Sequence, residues 1–443
     1  MIEFDDLYKA YYKAKRNKKN SIDFIDFEVD RERKLVNLFN AINDRTFKAD
    51  CNYTFICLDP KPREIFACNM ESRIVQWYVY MRIQPILEEV LVGRNFNNRK
   101  KMGVDAAVKR VYDDIKEVSN NFTENAYYIQ LDLSGFFPNA KWEVAEKCLI
   151  NLIKTRYDGP DKEDLIWMVH TTLYADPQNH CYRKSPEDMW KLIDPSKSLF
   201  NKDYGTGGAI GFLIWQIAMS LYLNEIDHWL VDELGLHYTR FVDDIVILTK
   251  DKKYVLGLLP ELRRRLDAIG CHLNEKKTHC DHYSKGIHFL GRYIKYQRIY
   301  VDNKTIEKFL NKIKKFNKIS NKKDSLLDFQ SSMNSYFGLL KNKSEYNNIC
   351  RAKALIDKKW WNYFVFSEER KCVMLKPKYA HKKLIRDKFK QTINKDVAKP
   401  LTREAQKFKA RHKDRYKDIQ EGKKKKFQKK LAKLQPENAF NFF

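Results

Sequence analysis

Asp243 and Asp244 stand side by side in "HYTRFVDDIVILTK", residues 237 to 250, with Phe241-Val242 before them and Ile245-Val246-Ile247-Leu248 after. The apolar flanks read as two buried strands joined by a turn. Neighbouring carboxylates in such a place repel each other and resist burial. A third acid has a similar setting: Asp132 ends the strand "YYIQLD" and precedes a turn. If strand 127–132 lies beside hairpin 238–248, three carboxylates meet at one sheet edge. Hard oxygen ligands of this kind suit Mg2+. Two such ions about 4 Å apart stabilise the attacking and leaving oxygens in phosphoryl transfer. An exposed turn with two ordinary aspartates is the alternative, and "DD" alone does not decide between them.

The acids need elements to position them. Residues 127–300 alternate strand and helix patterns. "YYIQLDL" reads as a strand and "SGFFPNA" as a turn. "KWEVAEKCLINLIK" follows as a helix, with Trp142, Ala145, Leu149 and Leu152 at steps of three and four. An apolar helix over 209–230 leads to the double-Asp hairpin. A further helix, "YVLGLLPELRRRLDAIG", returns the chain to "CHLNEKK". Upstream, residues 1–50 read as helices, and 51–130 mix short strands with helix. Residues 305–370 read as helical and basic. The layout is α+β, a sheet backed by helices.

The formal net charge is +26 over 443 residues, and residues 371–443 alone hold 24 Lys and Arg against 7 Asp and Glu. Such an excess points to a polyanionic partner, most often nucleic acid. A solubilising charge run is the alternative for the tail. Aromatics make up 14% and offer surfaces for stacking on bases. The N-terminus "MIEFDDLYKAYY" is acidic where a secretory leader is basic. The longest uncharged apolar stretch, "GGAIGFLIWQIAMSLYLN", holds Gln216 in its middle and reads as a core helix, so no membrane association is expected. Nine scattered cysteines without a CxxC pair suggest reduced thiols and a cytoplasmic location. "CHLNEKKTHCDH" carries Cys271, His272, His279, Cys280 and His282, enough ligands for zinc, but its spacing fits no common finger.

The order of motifs is more specific than any one of them. "LDLSGFFPN", a glycine-opened apolar helix, "RFVDDIVIL", "LNEKKT" and "HFLGRYI" follow one another in a way that resembles the palm of the reverse transcriptase family. "PKPREIFACNMESRIVQ" and "RNFNNRKKMGVDAAV" resemble its fingers, so the likeness spans roughly residues 50–300. "SSMNSYFGLLKNKSEYN" resembles the thumb of diversity-generating retroelement enzymes, and "LYKAYYKAKRNKK" also resembles that prokaryotic branch. The resemblance implies a right-hand polymerase fold. Its plan is an N-terminal helical segment (1–50), fingers (51–126), palm (127–304), thumb (305–370) and a basic, helical or partly disordered extension (371–443).

It also implies roles. Asp132, Asp243 and Asp244, with the backbone carbonyl of Leu133, would hold two Mg2+ ions, with Mn2+ as an alternative. Lys61 and Arg63 match the pair that grips the incoming triphosphate. Phe137, five residues after Asp132, matches the aromatic that blocks a ribose 2′-OH, while Phe136 reads as core. Gln216 matches the polar residue beside the incoming nucleotide. Lys277, or its neighbour Lys276, is a candidate proton donor to pyrophosphate. Gly291 would sit in the hairpin supporting the primer end. The palm helix departs from the family's usual G-x-P-x-G-x-x-x-S-Q: Ala209 replaces Pro, and Trp215 stands where a small Ser is usual. An indole beside the nascent base pair would reshape nucleotide or template choice; an indole in the core would not.

The activity implied is RNA-directed DNA synthesis from dNTPs, with an RNA template and a DNA product. An altered palm helix and basic C-terminus fit a prokaryotic enzyme working with a dedicated non-coding RNA in antiphage defence. A diversity-generating retroelement enzyme is the alternative. A catalytically silent RNA-binding scaffold is a reading of another class. An accessory protein or homo-oligomer is a further candidate partner.

Overall fold

Four consecutive apolar residues, Ile245 to Leu248, require a strand covered on both faces. The computed structural model describes residues 1–16, 21–58, 61–320, 325–341 and 343–379. It supplies both covers. The strands of the first half are β1 (Cys51–Cys57), β2 (Arg63–Cys68), β3 (Tyr127–Asp132), β4 (Tyr182–Arg183), β5 (His237–Phe241), β6 (Asp244–Thr249) and β7 (His279–His282). A four-stranded antiparallel sheet runs in the order β5-β6-β3-β7. Ile129, Leu131, Ile245 and Ile247 join one core with helices Trp142–Arg156 and Leu213–Tyr222. Tyr128, Val246 and Leu248 join another with Val108, Val111 and Ile115 of helix Val104–Val118. Strand 127–132 thus pairs directly with the second strand of the acid-bearing hairpin.

The apolar helix is shorter than the 209–230 expected. It spans Leu213–Tyr222, followed by a short helix Asn224–His228 and a wider turn to Glu233. Its expected first residues are a loop because their backbone is used elsewhere. The Ile210 carbonyl accepts the Phe66 N–H of β2 at 2.8 Å. Gly211 lies there at φ +119, and a side chain on it would stand 2.3 Å from the Phe66 carbonyl oxygen. Only glycine tolerates that approach.

β1 and β2 form a hairpin whose two edges are held by the segment 182–211. β4 runs parallel to β1, and the Lys184 N–H donates to the Thr54 carbonyl at 2.8 Å. On β2, the buried Glu64 accepts hydrogen bonds from the Ser198 hydroxyl and the Leu199 N–H. Burial pushes the Glu64 carboxyl above its ordinary pKa, partly opposed by those two bonds.

Uniformly reduced thiols were the expectation from the cysteine pattern, and the structure corrects it. Cys51 and Cys181 form a disulfide across 130 residues of sequence, with Cα atoms 5.4 Å apart. The parallel pairing of β4 on β1 brings them together. No CxxC spacing could have announced it.

A second small sheet follows, β8 (Ile287–Phe289), β9 (Arg292–Lys295) and β10 (Arg298–Val301), in the order β10-β9-β8. At the N-terminus a helix Ile22–Val29, its first turn capped by the Ser21 hydroxyl oxygen, joins helices Phe4–Ala14 and Arg31–Asn43. The chain divides into two compact units, Met1–Lys308 with Lys343–Glu345, and a second beginning at Phe309. The second unit holds helices Leu326–Leu339 and Tyr346–Leu355 around Phe329, which stacks on Trp360 at 4.0 Å. The wholly helical reading of 305–370 is corrected there: the chain turns into a hairpin of β11 (Phe364–Ser367) and β12 (Cys372–Leu375). The expected basic extension lies outside the described residues from 380 onward. Among the described residues no helix is long and apolar enough to cross a membrane.

Thiol titration of the denatured, unreduced protein is expected to count the seven free cysteines. A count two higher would remove the Cys51–Cys181 link.

Candidate active site

Pairing register places the acids. Asp132, the last residue of β3, is the direct cross-strand partner of Asp244, the first of β6. Phe241 of β5 also pairs with Asp244, so Val242 and Asp243 form a two-residue turn. Like charges directly opposite one another destabilise a sheet. Burial, then the charge on Asp132, raises the Asp243 carboxyl, with Arg63 and Lys277 opposing. Burial, then the charges on Asp243 and Asp132, raises Asp244 to about 6, with Lys277 and Lys61 opposing.

The turn itself is unusual. Val242 has φ +60, a left-handed conformation that β-branched residues avoid. Such strain costs about 1–3 kcal/mol and persists only when its surroundings enforce it. Here the Val242 N–H donates to the Asn97 side-chain oxygen at 3.2 Å, and the Val242 carbonyl accepts from Arg240 at 3.2 Å. Arg240 is wholly buried in an ion pair with the equally buried Asp227. Its Nε donates to Asp227 Oδ1 at 2.8 Å, and its Nη2 donates to the Ser220 carbonyl at 2.9 Å. The Tyr238 hydroxyl donates to Asp227 at 2.6 Å, and the Asn97 amide donates to the Ser220 hydroxyl at 2.7 Å. Sequence reasoning missed Asn97, Ser220, Asp227 and Arg240. Arg240 left a signal, a charge in the strand that leads directly into the acid turn; its partners left none.

Lys277 lies on Asp132, with its Nζ 2.8 Å from each carboxylate oxygen. Lys276 is exposed. Asn274, also missed, clamps the same acid: its side-chain amide donates to Asp132 Oδ2 at 3.0 Å and its N–H to the Asp132 carbonyl at 2.8 Å. The Asn of "LNEKK" was the available signal. Leu133 is buried and bridges to Leu273. Lys61 and Arg63 are exposed at the start of β2, and their charges are felt at Asp244 and Asp243 respectively. Phe137 is half-buried in the turn after β3, edge-on to the buried Phe136. Gln216 is half-buried on helix Leu213–Tyr222. Gly291, at φ +73, and Leu290 make the turn between β8 and β9. Trp215 is 1% exposed and belongs to the core, the second of the two placements its sequence position left open.

An all-oxygen set of three acids, two of them pushed up by burial and mutual repulsion, has the donor chemistry of a hard dication site, and the Lys277 ammonium stands where positive charge is wanted. Two other candidate centres do not. Asp114, Glu117 and His237 bring ligand atoms within 4.8 Å of one another. Asp114, however, is already bound by Arg94 at 2.6 and 2.8 Å and by Arg110 at 2.6 Å. Burial alone would raise its carboxyl, but hydrogen bonds from His237, Arg94 and Arg110 hold it below its ordinary value. That trio is an ion-pair network. The Cys/His cluster, whose spacing fits no common finger, is not assembled as a metal site either: His272 bonds Asp267, His282 bonds Ser284, and Cys271 is buried with its thiol pushed up to about 12.

The model of the reverse transcriptase (RNA-dependent DNA polymerase) family matches residues 59–294, over half the chain and all three acids. The chain belongs to that family, and its fold is the right-hand polymerase fold. Reverse transcriptases use divalent metal ions. Among solved structures it is similar to apo telomerase from Candida tropicalis (13% identity, TM-score 0.43, covering 70% of this chain and 57% of that one). A form of that telomerase truncated from the C-terminal domain gives 15% identity and TM-score 0.39 over 59% of each chain. Telomerase from Candida albicans in complex with the TWJ fragment of telomeric RNA gives 14% and 0.42 over 79% of this chain and 59% of that one. The chain thus spans less than two thirds of the length of each. No curated protein matches it.

Asp227→Asn is expected to cost about 3–5 kcal/mol in urea unfolding, because it leaves the Arg240 guanidinium buried without its counter-charge. A loss under about 1 kcal/mol would show that the pair does not hold the turn.

Because folding raises the Asp244 pKa to about 6 from about 3.9 in an unfolded chain, the folded state holds more protons between those values, and stability falls as pH rises through that window. Without metal, Asp244→Asn is therefore expected to melt above the parent near pH 8, by up to about 3 kcal/mol in stability, with the gap closing near pH 4. Equal melting at both pH values would refute the electrostatic cost.

Proposed function

We propose that this chain is an RNA-directed DNA polymerase adding dNTPs to a 3′-OH. The observation that carries this reading is the cross-strand facing of Asp132 and Asp244 beside Asp243, with two carboxyls raised by burial and mutual repulsion. Asp132, Asp243, Asp244 and the Leu133 carbonyl would hold two Mg2+ ions, or Mn2+ in their place. Bound there, the ions would stabilise the attacking 3′-oxygen and the leaving pyrophosphate. Lys61, a compact charge, and Arg63, a bidentate fork, would grip the triphosphate. Their exposure, and their reach to the acid pair, support this. Phe137 would meet the sugar and reject a 2′-OH, and Gln216 would line the nucleotide's other side. Lys277 would leave Asp132 when the site is charged and give its proton to pyrophosphate. The β8–β9 turn at Gly291 would support the primer end.

The template would be a dedicated non-coding RNA, held by phosphate contacts from the basic surface, so binding weakens steeply with salt. Net charge of +26 supports a polyanionic partner. The setting would be a prokaryotic cytoplasm and the role antiphage defence, alone or with an accessory protein or second copy. Diversification of a target gene is the competing role.

Protein purified with its RNA and given Mg2+ and four dNTPs is expected to make DNA, and Asp243→Ala/Asp244→Ala to make none. Sequencing the product would identify the template. Equal product from both proteins, or none from RNA-bound parent, would overturn the reading.

A further inference from the structure

The turn carrying Phe137 has no strand or helix of its own, so its position depends on what holds it. Its start is held by the His272 carbonyl, which accepts the Ser134 N–H at 2.8 Å, and from Phe137 onward the holders come from the segment 202–208. Gly208 donates its N–H to the Phe137 carbonyl at 2.8 Å, and Gly207 donates to the Ala140 carbonyl at 2.8 Å. The Lys202 ammonium reaches the Asn139 side-chain oxygen at 2.8 Å. The Trp142 indole N–H donates to the Gly207 carbonyl at 2.7 Å. This glycine segment splints the Phe137 turn.

What fixes the splint at Gly208 is Trp215. A side-chain carbon built on Gly208 would stand 2.7 Å from indole Cε3, 3.1 Å from Cδ2 and 3.3 Å from Cζ3. Gly207, at φ +97, needs glycine for its backbone. Gly208 lies outside the left-handed region, and the three atoms a side chain there would meet first all belong to the indole. Trp215 is 1% exposed and cannot retreat towards solvent. A close-packed interior transmits such a displacement.

We propose that Trp215 is a positioning residue. Through Gly208 it sets the place of Phe137, and so how strictly the site prefers deoxyribonucleotides to ribonucleotides. This rests on the reading of Phe137 as the residue that meets the sugar. It differs from an indole touching the base pair, because the effect passes through a backbone hydrogen bond.

The test is single-nucleotide incorporation by the full chain with each dNTP and its ribonucleotide, comparing ratios of kcat/KM. Four variants are compared with the parent: Phe137→Ala, Gly208→Ala, Trp215→Leu and Gly208→Ala/Trp215→Leu. Phe137→Ala is expected to lower the ratio. Gly208→Ala, which pushes the new methyl against the indole, is expected to lower it by up to about a hundredfold, the scale of an ångström-sized misplacement. The double variant, with room restored beneath residue 208, is expected to recover most of the parental ratio. That recovery also guards against misfolding of either single variant. If Phe137→Ala lowers the ratio while Gly208→Ala slows both nucleotides equally, the relay is refuted and the polymerase reading stands. Failure of the double variant to recover the ratio also refutes the relay. If the parent incorporates no nucleotide, or Phe137→Ala leaves the ratio unchanged, the underlying reading fails and the relay falls with it.

Discussion

The Arg240–Asp227 ion pair is the interaction on which the site's geometry depends. Removing two charges from water costs several kcal/mol per ion, and an apolar pair of similar size often serves stability as well or better. Stability alone therefore does not account for it. A guanidinium has five donors in a rigid fork. Here that fork bonds Asp227, the Ser220 carbonyl on helix Leu213–Tyr222 and the Val242 carbonyl in the acid turn. No apolar side chain could join a helix, a strand and a strained turn at once. Asn97 closes the arrangement from a loop far upstream, bonding both Ser220 and Val242. The left-handed Val242 is the consequence: a conformation the chain would not adopt unaided is held from both its N–H and its carbonyl.

The same logic explains how three acids coexist. Asp132 and Asp244 face each other across the sheet with Asp243 next in sequence, an arrangement any fold selected for stability would avoid. The counter-charges are Lys61, Arg63 and Lys277, all exposed and on flexible side chains. They moderate the repulsion without filling the site. Local rules of charge and strain are broken together at this one place, which is where function is expected to break them.

What was legible in the sequence follows from the range of each cause. The acids, their strands and the helix at Trp142 were legible because hydrophobic periodicity is local. Arg240 was half legible: its charge stands in the strand that leads directly into the acid turn, but Asp227 sits on a helix end that only folding brings near. Asn97 was not legible, because its role depends on a loop docking 145 residues from the turn it holds. The start of helix Leu213–Tyr222 was misplaced because Ile210 and Gly211 answer to β2, not to their own helical pattern. The Cys51–Cys181 link depends on a two-residue strand too short to carry a signal.

Residue Leu199 joins two parts of the site that the sequence keeps far apart. Its N–H bonds Glu64, one residue from Arg63 on the β1–β2 hairpin. Its side chain lies 3.2 Å from where a side chain on Gly207 would begin, against the splint of the Phe137 turn. The groups proposed to hold the triphosphate and to judge the sugar are therefore braced by one short segment. A polymerase must align phosphate and sugar in the same nucleotide, and an error of about 1 Å between them is costly. Bracing both from a single loop makes their relative position a property of that loop's packing. On this argument, residues 195–211 belong to the working parts of the site even though the acids lie elsewhere. Substitutions there should disturb nucleotide selection before they disturb the acids.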